Sequence, residues 1–193
     1  MVGTIISSPE VIYSVNGTCL YSTYIATQRL SNIADTIEVV VKDNMLDRLV
    51  VGRQILVCGE IRTKNEYVVS KRRNKLIIYV LAKDIVDVGD CEYNVNIAII
   101  DGYLCKAPSL RTTYSGKQVC DLLIAVNGRF GKSYYLPAVA FNDIAEYLSS
   151  KRIGERIVVS GRLQSRQYTQ NNNTYTVFEL FISSVRGHNE QEL

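Results

Sequence analysis

The chain has 193 residues, 47% hydrophobic and 21% charged, and its formal net charge is only +3. That charge is too small to identify a polyanion ligand, and no window reaches the about 18 apolar residues of a membrane span. One histidine, His188, and five cysteines without a CxxC pair argue against a metal site or a His-based catalytic centre.

The N-terminus has no basic-then-apolar leader, and an odd number of dispersed cysteines fits a reduced cytosol, with three of them read as small buried hydrophobes. Strand signals dominate from the start. Residues 2–6 are short and apolar, Pro9 punctuates, residues 11–14 extend the strand, and Asn16-Gly17 reads as a turn. Residues 20–27 and 36–41 form the next two strands, rich in β-branched side chains. Asp43-Asn44 reads as a cap for a short helical stripe of Met45, Leu46 and Leu49, which Gly52 ends. Residues 54–64 make a fourth strand, and a hairpin over 65–74 returns into a fifth at 76–81 or on to 86.

Gly89-Asp90 marks a boundary, and the pattern restarts. Residues 94–104 form a first strand in which Gly102 predicts a bulge or a close backbone approach. Strands follow at 118–127 and 133–141, then a helix over 144–151 capped by Asn142-Asp143. A fourth strand at 156–168 turns through the polar run 170–173 into a fifth at 175–185. The restart is a tandem duplication: Gly52 and Gly59 align with Gly154 and Gly161, and Gly3, Pro9, Gly17, Ile25 and Ala26 with Gly102, Pro108, Gly116, Ile124 and Ala125. The predicted fold is all-β, two tandem five-stranded OB-fold barrels, each with a short helix between strands 3 and 4. The expected domains are 1–89, divergent, and 90–186, followed by a short polar tail at 187–193.

In the second repeat, Asn94, Gly102 and Leu104, Pro108 with Leu110-Arg111, Ser115-Gly116, Ala125-Val126-Asn127, the run from Tyr134 to Phe141, and Gly161-Arg162-Leu163 occur in order and spacing. Together they resemble the DNA-binding domain of bacterial single-stranded DNA-binding proteins. The first repeat carries little of this pattern and is assigned by its likeness to the second. Two such domains in one chain are similar to the tandem members of that family, which implies a homodimer presenting four barrels. The resemblance also implies a non-catalytic, cytoplasmic, nucleoid-associated bacterial protein without cofactors, acting in replication, recombination or DNA transfer.

The residues support this reading on their own terms. Sequence-tolerant binding of single strands needs aromatic faces for bases and cations for phosphates. The two-residue period puts Tyr135, Pro137, Val139 and Phe141 on one face, and Leu136, Ala138 and Ala140 on the other. Arg162, Gln164, Arg166 and Tyr168 share a face opposite Leu163. Tyr135, Phe141 and Tyr168 fall where the resemblance implies stacking aromatics. Phe130 and Tyr175 are further candidates, and Arg111, Lys117, Arg129 and Lys132 are the cations placed to reach phosphates. The bland reading is that tyrosines are ordinary strand residues, that Tyr134 and Tyr147 pack, and that Arg162 and Arg166 are solvated strand charges.

The first repeat has Thr36, Lys42 and Glu66 opposite Tyr135, Phe141 and Tyr168, so its stacking face is largely missing. It offers instead a basic hairpin of Lys64, Lys71, Arg72, Arg73 and Lys75 around Tyr67, either a solvated loop or a phosphate clamp. Replacing Lys71, Arg72 and Arg73 by alanine is expected to lower the salt slope of binding. The tail Gly187 to Leu193 has two acidic residues and no linker, which argues against partner recruitment through an acidic tip. The competing function is a protein-interaction adaptor of a primosome or polymerase. RNA remains an alternative ligand, since stacking faces do not discriminate sugars. No carboxylate cluster, activated nucleophile or phosphate loop suggests an enzyme.

Overall fold

The computed structural model describes residues 1–15, 17–68, 73–89, 95–128, 131–170 and 173–187. The chain divides into two compact units, Met1–Asn96 and Ile97–Leu193. In the first lie β1 (Val2–Ile5), β2 (Glu10–Val15), β3 (Thr18–Gln28), β4 (Ala34–Lys42), a 3₁₀ helix (Asp43–Arg48), β5 (Gln54–Val68) and β6 (Arg73–Asp87). Their pairings close a circuit. β1 runs antiparallel to β5, β5 to β6, β6 is parallel to β4, β4 antiparallel to β3, and β3 returns to β1. β2 anneals outside this ring, on β3.

The second unit repeats the plan with β7 (Ala98–Leu104), β8 (Ser109–Thr112), β9 (Gln118–Asn127), β10 (Ser133–Phe141), α1 (Asn142–Ser149), β11 (Arg156–Gln170) and β12 (Asn173–Val185). Its circuit is β7, β11, β12, β10, β9 and back to β7, again with one parallel pair, β10 with β12. Five strands closed this way leave no exposed edge within the ring, which is the economy of the OB architecture. Each barrel is filled by the inward half of its strands. Ile5, Ile25, Ile37, Ile55 and Ile85 are fully buried in the first, and Leu104, Ile124, Leu136, Leu163 and Leu180 in the second. Each such side chain contributes about 1.5–3 kcal/mol of hydrophobic stabilisation.

The duplicated glycines have local physical causes. A Cβ on Gly59 would stand 2.4 Å from the Leu81 carbonyl oxygen, and one on Gly161 would stand 2.0 Å from that of Phe181. Both sit at matching irregularities, between Cys58 and Gly59 and between Ser160 and Gly161, where the fourth barrel strand bends across the fifth. Gly102 answers to the close-approach alternative, since its Cβ would meet Ile124 at 2.6 Å.

The expected caps are corrected. Lys42 and Phe141 occupy the N-cap positions, and neither helix has a side-chain cap hydrogen bond. Asp43 already lies inside the first turn, and Asn142 adopts a left-handed φ of 51°, turning the strand into the helix. The cysteine expectation is also narrowed. Only Cys120 is buried among the described cysteines, its thiol pushed up to about 11 by burial, while Cys58 is exposed. The boundary expected at Gly89-Asp90 follows the end of β6 at Asp87, and residues 90–94 lie outside the described residues.

Candidate nucleic-acid interface

The outward side of β10 is the starting point. Leu136, Ala138 and Ala140 are buried in the barrel, so Tyr135, Pro137, Val139 and Phe141 face away from it. Register carries this face across the sheet. Val139 pairs with Phe181 on β12, and Phe181 with Arg162 on β11. Further along, Glu179 pairs with Gln164, Val177 with Arg166, and Tyr175 with Tyr168. The period therefore puts Tyr135, Phe141, Arg162, Arg166 and Tyr175 at register positions of one surface, while the side chain of Tyr168 lies outside the described residues.

At the centre of the face stands a residue the sequence reading missed. Phe181 stacks on Phe141 with ring centroids 5.4 Å apart and planes inclined by 28°, and the Arg162 guanidinium carbon lies 4.8 Å from the Phe181 centroid. Offset ring pairs contribute about 0.5–1.5 kcal/mol beyond their burial, and a guanidinium over a ring about 0.5–2 kcal/mol. The cation and two rings thus form a preassembled stack. Phe141 is half-buried within it, whereas Tyr135 is 49% exposed. The missed signal was parity: Phe181 alternates with the buried Leu180 and Ile182.

The electrostatics of the face are uneven. Glu179 is almost completely buried there and accepts hydrogen bonds from Arg166 Nε at 3.3 Å and Gln164 Nε2 at 3.5 Å. Arg111, on β8, donates to Asp121 through Nε at 2.6 Å and Nη2 at 3.3 Å. Arg111, expected to reach phosphates, and Arg166, a charge of the fourth strand's outward face, each hold a carboxylate. Arg162, Lys117 and Lys132 have no ion pair among the described residues, and the buried Arg162 Nε has no hydrogen-bond partner. Lys117 and Lys132 are exposed beside the β8–β9 and β9–β10 turns. Tyr114, at the tip of the first of these turns, is fully exposed and is a further ring that strand parity could not reveal.

Phe130, Arg129, Lys71 and Arg72 lie outside the described residues, and Arg73 is placed only as the first residue of β6. Tyr134 packs over Gly128, within reach of any Cβ placed there. In the first barrel, Thr36 pairs with Ala26 as Tyr135 pairs with Ala125, so the absent stacking positions are where the repeat put them. That barrel's outward face carries Tyr24 and Tyr79 instead, with Glu38 between them by register. Lys64 lies 5.4 Å from the Tyr79 ring centroid and 2.9 Å from buried Glu38, so it belongs to this face. Glu60 is held at about 2 by hydrogen bonds from Lys83 and Arg62. Among the described residues no cluster suits a metal ion, and no helix is long and apolar enough to cross a membrane.

Comparison with known proteins places this geometry. Residues 95–187 match the profile of the Single-strand binding protein family. The single-stranded DNA-binding protein of Fusobacterium nucleatum subsp. nucleatum is 30% identical over 100 residues, covering 47% of this chain and 65% of that protein. The single-stranded DNA-binding protein of Paenarthrobacter aurescens is 34% identical over 96 residues, covering 44% of this chain and 56% of its own length. The chain therefore spans less than two thirds of these relatives. The crystal structure of the wild-type single-stranded DNA binding protein from Thermus aquaticus superposes with a TM-score of 0.75 over 95% of this chain and 88% of that one, at 21% identity. A deletion mutant of the same protein gives 0.77 over 95% and 90%. At that identity the likeness speaks for the fold, and it extends over both barrels.

Proposed function

We infer, from a chain whose residues 95–187 match the single-strand binding protein family, that the outward face of the second barrel binds single-stranded DNA without regard to sequence. The observation that carries this reading is the Arg162–Phe181–Phe141 stack beside exposed Tyr135, flanked by Lys117 and Lys132. Every base has a π-face, so rings accept any of the four, each stacked base contributing about 1–3 kcal/mol. Sequence tolerance has a cause in the same face. Its Gln164 and Glu179 are buried and bonded to each other, so neither is presented to base edges. Tyr168, Tyr175 and Phe130 extend the stacking surface in this reading, and Arg129 joins the phosphate contacts.

The protein is non-catalytic, works in the cytoplasm during replication, recombination or DNA transfer, and assembles as a homodimer. The first barrel serves assembly and electrostatic grip. The test is titration of oligo(dT) and a mixed-sequence oligonucleotide at two salt concentrations. Equal affinities for the two sequences that fall with salt support the reading. No binding at low salt would instead favour an adaptor of a primosome or polymerase, for which the ion-paired face of the first barrel is the favouring observation. A matched RNA strand measures sugar preference, and light scattering measures the assembly.

A further inference from the structure

The second barrel carries a cavity that the stacking face does not use. It has a volume of about 270 Å³ and lies beyond the end of α1, lined by Tyr147, Lys151, Arg156 and Arg186 over a floor of Ile157, Val158 and Val185. Three cations from three elements converge on it. Lys151 follows α1 and has its own explanation, since a cation suits a helix C-terminus and its Nζ lies 4.6 Å from the Tyr147 ring centroid. Arg156 and Arg186 come from the start of β11 and the end of β12, where no helix dipole calls for them.

Among the described residues, the carboxylates nearby do not balance these charges. Asp101 takes Arg156 through two hydrogen bonds of 2.8 and 2.6 Å and stays ionised, its carboxyl held low by that guanidinium. Glu155 reaches Lys151 only at 3.8 Å and spends its other oxygen on the Arg152 backbone N–H at 2.8 Å. The Arg186 side chain has no ion pair among the described residues, although its backbone N–H is fixed by the Val158 carbonyl at 2.9 Å. A walled recess with surplus positive charge and several N–H donors suits a phosphate group, whose oxygens accept from guanidinium and ammonium alike.

Its place on the strand suggests the source. Arg156, Arg162 and Arg166 share the outward parity of β11, and six residues of strand put Arg156 roughly 20 Å from Arg162. We propose that this cavity is a phosphate-binding site, taking a backbone phosphate of a strand that leaves the stacking face along β11. The proposal rests on the single-strand reading for its ligand's source, while the phosphate chemistry stands on the cavity alone.

The test uses the full chain and two variants, Lys151→Gln with Arg186→Gln, and Asp101→Asn, which removes the carboxylate opposing the site. Oligo(dT) of roughly 4–8 nucleotides, enough for one face, is compared with one several times longer. In the double variant the salt slope for the long strand should fall by about 0.7, the share of one phosphate, with the short strand unchanged. Asp101→Asn should tighten the long strand alone. Inorganic pyrophosphate without nucleic acid reads the second source. A rise in Tm that the double variant loses, with both oligonucleotides unaffected, assigns the site to free phosphate. Unchanged long-strand slope together with an unchanged pyrophosphate response overturns the proposal. If the parent binds no oligonucleotide, the single-strand reading fails, and the pyrophosphate arm still decides the cavity.

Discussion

The two barrels share one circuit of strands and differ in the chemistry of the corresponding face. In the second, Arg162 and two rings are stacked together and an exposed tyrosine stands beside them. In the first, the corresponding strands carry a lattice of ion pairs: Lys64 with Glu38, and Arg62 and Lys83 with Glu60. Each barrel has one buried carboxylate on this surface, but on different strands. It is Glu38 on β4 in the first and Glu179 on β12 in the second. Where the carboxylate lies on the fifth strand, β10 keeps its aromatic positions; where it lies on the third, the strand turns polar. A fold can therefore be duplicated intact while its exterior is rewritten by the alternate residues that do not fill the core.

The largest break in this contrast should come from the rings. Replacing Tyr135, Phe141 and Tyr168 together by alanine should weaken oligo(dT) binding about a hundredfold or more, with circular dichroism confirming the fold. The matching positions Thr36, Lys42 and Glu66, changed to alanine, should leave affinity within about threefold. Smaller is the effect of Arg162→Ala, which removes the stacked cation and uncovers Phe181. It should cost about tenfold and lower the salt slope by about 0.7, whereas Arg111→Ala, whose charge Asp121 already engages, should move the slope less. Smaller still, Glu60→Gln should release Arg62 and Lys83 and raise the salt slope by up to about 0.7.

Acid removes the same Glu60 charge. Its carboxyl falls from an ordinary 4.5 to about 2 in the folded chain. The stability it lends the first barrel is therefore complete above about 4.5 and is lost as pH drops toward 2. Thermal melts of the parent across that window should converge on those of Glu60→Gln. Cys120 runs the other way. Its folded value of about 11 exceeds the ordinary 9, so its contribution is complete below 9 and fades as pH rises through 11.

Most of this architecture was legible because closed barrels alternate strictly. The limits of β9 and β10, the inward set Leu136, Ala138 and Ala140, and the vacancy of stacking positions in the first repeat all follow from a two-residue period. Three things were not legible, each for a physical reason. Parity assigns a side to a residue, but it cannot show that an outward residue is covered. Val139, Gln164 and Glu179 face outward yet are buried. Charge counts do not reveal pairing, so Arg111 and Arg166 read as available cations while each faces a carboxylate across the sheet. Helix caps depend on backbone angles, and the left-handed turn at Asn142 replaced the expected side-chain cap.

Ultraviolet crosslinking of the full chain to oligo(dT), with adducts located by mass spectrometry, asks directly which surface holds the bases. The account predicts adducts at Tyr135, Phe141, Phe181 or Tyr168 on the outward face of the second barrel. Adducts confined to Tyr24, Tyr79 or other residues of the first barrel would contradict it.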